Sequence, residues 1–173
     1  MYGTADGNAD RERPFATHSA AWRNADEPED SFEDMFDLAP VSLWLEDHSG
    51  LRELLDDWRA EGVTDLRAHL RERPVRVAEC WSRVRVVKVN RCTLEMYGAD
   101  NVDHLVANLP RVFRDGNFGQ HVEALTALWD GRPRFRVLTV NYTLAGQRLD
   151  ILLDGRVLPG HERTWRRLLV ARM

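Results

Sequence analysis

The sequence predicts an α+β domain: a five-stranded antiparallel sheet with helices on one face, plus a helical insertion and an N-terminal capping helix. Three observations lead there. Elements run in the order strand, helices, strand, helices, and then strands alone. The residues between the first two strands repeat their apolar positions at helical spacing. The three closing strands are parted only by turn signals, at Ala145-Gly146 and Pro159-Gly160, so they pair as antiparallel neighbours.

Taken in order, residues 1–30 are poor in aliphatics and rich in Gly, Ala, Asn and Asp, which predicts a disordered acidic tail with Trp22 able to dock locally. A domain at 31–173 follows. Ser31 caps a short helix that gathers Phe32, Met35 and Phe36 on one face and ends at Pro40. Residues 41–46 alternate as a strand with Leu43 and Leu45 on one side, read as the core side, and Trp44 on the other, where it would receive the capping helix. Leu51, Leu54, Leu55 and Trp58 form the clearest helical stripe, closed near Gly62. Thr64-Asp65 opens a shorter helix that stops before Pro74, and Val77, Cys80, Trp81 and Val84 give a third stripe. The β-branched run 84–89 is the second strand, ended by Asn90. Helices are then expected from Arg91 to Tyr97 with Gly98 as the stop, from an Asn101 cap to before Pro110, and from Phe118 to Trp129 with Gly131 as the stop. Strands at 135–143, 148–153 and 164–171 close the chain.

Composition narrows the function. The chain has 173 residues with 43% hydrophobic and 30% charged, enough for one domain with a sizeable core. No window approaches the roughly 18 apolar residues of a membrane span, and no secretory signal opens the chain, so a cytoplasmic protein is expected. Lys+Arg 24 against Asp+Glu 28 argues against nucleic acid, which calls for a basic excess. Cys80 and Cys92 offer no CxxC pair, and the six histidines show no HxH or HExxH spacing, so no metal site is expected. No phosphate-binding glycine loop and no GxSxG elbow occur, and an enzyme reading has nothing to attach to.

Two runs carry a family likeness. FEDMFDLAPVSLWLED at 32–47 resembles the opening of PAS domains, a short helix ending at S/A-P-V before an I/L-W-x-x-D strand. VKVNRCTLEMYG at 87–98 resembles their second signature, V-N-x-A-x-x-x-x-x-G, with Cys92 in place of the alanine. The likeness covers about 31–172. It differs from the usual pattern in the helical insertion at 49–82, associated with a subgroup of bacterial sensor PAS domains, and in lacking the D-I-T exit toward an output domain.

The resemblance implies a sensory domain of a bacterial signalling or two-component protein, without catalysis of its own. A small molecule would bind in the core cavity, and the change would pass to a partner or to an effector domain not in this chain. The cavity walls expected are Leu43, Leu45, Cys92, Met96, His121 and Leu125. A homodimer through Phe32, Met35 and Phe36 is the implied assembly. In haem-binding relatives the proximal histidine comes from the helix before the third strand, which makes His121 a candidate axial ligand; the competing reading, preferred here, is a packed core histidine. Cys92 stands outside the N-C-R-F-L-Q motif of flavin-adduct cysteines and reads as a buried small hydrophobe, as does Cys80. The alternative function is a ligand-free interaction or dimerisation module whose core is filled by tryptophan. A cystatin-like enzyme would want an Asp/His pair in a polar pocket, which the sequence does not show.

Overall fold

The computed structural model describes residues 31–114 and 118–173; the expected disordered tail, with Trp22, lies outside the described residues. Five strands, β1 (Ser42–Asp47), β2 (Arg85–Val89), β3 (Arg134–Tyr142), β4 (Arg148–Val157) and β5 (Leu168–Arg172), form one antiparallel sheet in the order β2-β1-β5-β4-β3. The helices are α1 (Phe32–Asp37), α2 (Ser49–Ala60), α3 (Leu66–Glu72), α4 (Val75–Ser82), α5 (Arg91–Tyr97), α6 (Val102–Ala107), α7 (Leu109–Val112) and α8 (Phe118–Trp129). The sheet and its helical cover are as the sequence predicts.

Local chemistry accounts for the boundaries. Ser31, Asp65, Asn90 and Asn101 each accept the backbone N–H three residues on, so four helices start at side-chain caps. Gly98 ends α5 at φ 69°, a left-handed conformation that a side chain would strain. Asn90 also ties the motif elements together: its Oδ1 accepts from Leu43 N, and its Nδ2 donates to the carbonyls of Ala39 and Val41. The asparagine of the second signature is thereby a clamp between the entry to β1 and the start of α5.

Two strands differ from expectation. β4 runs on to Val157 because Gly155 lets the Phe135 ring of the paired strand lie across it; a Cβ there would collide with Phe135 Cζ. β5 begins at Leu168 rather than at residue 164, since the backbone turns at His161 and Trp165 takes φ 52°. Trp165 has high strand propensity, but its carbonyl receives His48 N and its ring is buried in the core, and those contacts override propensity.

The core has two parts. Leu51, Leu54, Leu55 and Trp58 of α2, Leu66 and Leu70 of α3 and Val77 and Cys80 of α4 pack with Val122, Leu125 and Leu128 of α8. The insertion is therefore part of the domain's own core. A second cluster joins Trp44, Val89, Tyr97, Leu105, Val112, Leu144 and Val170 beneath the sheet, and Leu153 packs against both.

Along β1 the faces are the reverse of those expected. Ser42, Trp44 and Glu46 point inward and are buried, while Leu43 and Leu45 lie half-buried on the outer face. Trp44 stands edge-on to Tyr97 in the core, so it does not receive α1. Phe36 of α1 is instead buried under Lys88, and Phe32 and Met35 stay exposed at 72% and 59%.

Candidate functional site

Between the inner sheet face and helices α4, α7 and α8 lies a cavity of about 750 Å³, the size of a small-molecule site. Its walls are largely apolar: Val77 and Trp81 from α4, Leu109 from α7, Phe113 beyond it, Phe118 and Ala124 from α8, and Phe135, Val137 and Leu153 from the sheet. The lining draws on both parts of the core.

One polar cluster interrupts this lining. Arg172 is paired across the sheet with Ser42, and its side chain runs along the inner face to Glu46, where Nη2 donates to Oε1 at 3.3 Å. On the way its guanidinium carbon passes 3.7 Å over the Trp44 ring and 5.2 Å from that of Phe113. Glu46 Oε2 bonds His48 Nε2 at 2.8 Å. Burial alone would raise the Glu46 carboxyl, but the His48 hydrogen bond and the charges of Arg172 and His48 hold it below its ordinary value. The carboxylate is therefore ionised, and His48 Nε2 carries the proton it donates. From the helical side Trp81 faces this cluster, its ring 6.2 Å from His48 and 5.1 Å from His121. Burial, and then the charge of Arg172, pushes the His121 imidazole down and keeps it neutral.

Four nitrogens of this cluster, Arg172 Nε and Nη1, Trp81 Nε1 and His48 Nδ1, are buried with no hydrogen-bond partner. All three side chains line the cavity.

Of the six wall residues expected from sequence, only His121 lines this cavity. Leu43 and Leu45 belong to the opposite sheet face, because the alternation places the polar Ser42 and Glu46 inward with Trp44. Leu125 is buried on the side of α8 that meets the insertion helices, and Met96 packs in the second cluster, away from the cavity. Cys92 is half-buried on α5 and Cys80 is buried in the core, its thiol pushed up to about 12 by burial. With neither thiol in the cavity wall, the site does not fit flavin–cysteine adduct chemistry.

His121 lines the cavity with its imidazole edge-on to Trp81, the ring centroids 5.1 Å apart, the packed arrangement of a core histidine. Among the described residues no three His, Cys, Asp or Glu side chains gather as a metal site.

Glu46, His48, Trp81, Phe113 and Arg172 were not anticipated as site residues. The available signal was strand parity. Residues 168, 170 and 172 share one face of β5, so the arginine must face inward with Leu168 and Val170.

No family model and no curated protein matches the sequence. Solved structures do. The LOV protein of Rhodobacter sphaeroides is similar with a TM-score of 0.53 and 21% identity over 80% of this chain. The match covers 61% of that protein's chain, so this chain spans about three fifths of its length. An RsLOV d2 variant gives 0.52 and 18% identity over 82% of this chain and 62% of its own. The PAS domain of a LuxR-family transcriptional regulator from Burkholderia thailandensis, solved in complex with ethanol, gives 0.50 and 8% identity over 83% of this chain and 96% of its own.

Proposed function

The chain has a PAS fold, and from that premise we infer that it is a sensory domain of a bacterial signalling protein. It binds a small molecule between sheet and helices and carries no catalysis itself. The observation that carries this reading is the largely apolar cavity of about 750 Å³, which a densely packed interior would otherwise fill. Occupancy would bear on β5 through Val170 and Arg172, and on α8 through Phe118 and His121, and so reach a partner or effector. Among the described residues no helix is long and apolar enough to cross a membrane, in keeping with a cytoplasmic sensor.

The test is to purify the protein natively, extract it and identify by mass spectrometry what comes off. An organic molecule near one per chain is expected, and a folded Val137→Trp variant, which fills the cavity, should lose it. Retention of the same molecule at the same ratio by that variant would overturn the reading.

A second reading, an interaction module, is favoured by the outer sheet face, where Leu43, Leu45 and Leu169 are half-buried on the paired strands β1 and β5 and Leu138, on edge strand β3, is 70% exposed. The two are compatible if the outer face and α1 form a homodimer. In that case Phe32 and Met35 are the contacts, and Phe36 anchors α1 to its own chain. Phe32→Glu with Met35→Glu should shift the sedimentation coefficient from dimer to monomer without lowering the melting temperature. An unchanged coefficient would remove α1 from the interface.

A further inference from the structure

Resting on the reading of the cavity as a ligand site, we propose that the ligand is an organic anion, a carboxylate on an apolar body, whose carboxylate is received by Arg172. The side chain of Arg172 is only 6% exposed and uses one of its nitrogens, at the long distance of 3.3 Å. Nε and Nη1 have no partner. A guanidinium carries five N–H donors and its charge cannot be removed by deprotonation, so a buried one calls for acceptors.

Glu46 cannot meet that demand. Its second oxygen is committed to His48 at 2.8 Å, which divides one negative charge between two partners. Arg172 and His121 line the same cavity, and the His121 imidazole is lowered by burial and then by the Arg172 charge. A ligand carboxylate brings acceptor oxygens for Nε and Nη1 in charge-assisted hydrogen bonds, which are stronger than those a neutral carbonyl makes.

The site is preorganised for such a group. Trp44 and Phe113 both pack against the guanidinium, their ring centres 3.7 and 5.2 Å from its carbon, so little side-chain freedom is left to lose on binding. Trp81 Nε1, also unpartnered, offers a further donor from α4. Phe118, Phe135 and Val137 provide the wall for an apolar body.

The probes are 3-phenylpropanoate and the straight-chain C6 to C10 monocarboxylates, each compared with its primary amide by calorimetric titration of the whole chain. The best acid should bind at least tenfold more tightly than its amide. Arg172→Gln should abolish that preference while changing amide affinity less than twofold, and Trp81→Phe, which keeps the ring but removes the N–H, should weaken the acid severalfold. Equal binding of acid and amide by the unaltered protein would overturn the anion and leave the cavity reading standing. Failure of every acid and amide to bind would overturn the cavity reading. A preference that survives in Arg172→Gln, with folding checked by circular dichroism, would overturn the role of Arg172. Should that variant not fold, an unchanged acid affinity in Trp81→Phe, or the acid–amide comparison in the unaltered protein, still decides against the proposal.

Discussion

Arg172 is costly to the fold because a buried guanidinium loses its hydration and gets back one long hydrogen bond, a shared carboxylate and two aromatic faces. Its dependence on Glu46 can be measured. Glu46→Gln leaves the buried charge without a counterion and should cost about 3 kcal/mol, the loss usual for breaking one side of such a pair. Adding Arg172→Met to that variant should recover most of the loss, since an apolar side chain of similar length packs against Trp44 and Phe113 without a charge to satisfy. Urea unfolding of the single and double variants gives both numbers. A double variant no more stable than Glu46→Gln alone would mean that the ion pair is not what Glu46 contributes.

Among the elements, β4 shows how one residue shapes a cavity wall. With Phe135 lying over Gly155, the ring forms part of the wall, and Gly155→Ala should force it off its place at roughly 1–3 kcal/mol, the range for overpacking. Phe135→Leu in the same chain should relieve the strain, read as a partial return of the melting temperature; no return would place the strain in the backbone instead. The same pair marks the limit of what the sequence discloses. Helices marked by a full apolar stripe, such as α2, or by a side-chain cap and a glycine stop, such as α5, are legible because those signals are local. The five-stranded sheet follows from the succession of elements together with two degenerate motifs, and the pairing of the three closing strands from the turns between them, whereas the central place of β1 beside β5 is seen only in the fold. The inner face of β1 is not legible from hydropathy. Leucines alternate with Ser42, Trp44 and Glu46, and the more apolar set is the outer one, because the inward polar groups find partners on α5 and β5 that are remote in sequence. For the same reason the site's Arg172 and Glu46, 126 residues apart, become a pair only once the sheet has formed.

For the molecule as a whole, titration gives a stability profile of defined sign. The folded state depresses His121 and His69, in each case chiefly by burial, and it also holds Glu46, Asp47, Glu123 and Asp154 below their ordinary values. In both sets the unfolded chain takes up protons that the folded chain refuses, so the stability these groups give is full at high pH and falls on acidification. Melting temperature should be level from about pH 7.5 to about 8.5, fall above that as the unfolded chain ionises the thiol of Cys80 that burial keeps protonated, decline below the ordinary histidine value of about 6.5, and decline again below about 4.5. His69→Gln with His121→Gln should flatten the first step and leave the second; a melting temperature that rises between pH 7 and pH 5 would contradict the assignment. The strand order has a consequence in time as well as in space. β1, near one end of the domain, lies between β2 and β5, and β5 is the last strand to be made. As the chain is made, β1 with β2 and β3 with β4 are two separate ladders, and the sheet becomes continuous only once residues 168–172 are available. Closure of the sheet at its centre therefore waits on its longest-range pairing, β1 with β5, the kind of contact that slows folding.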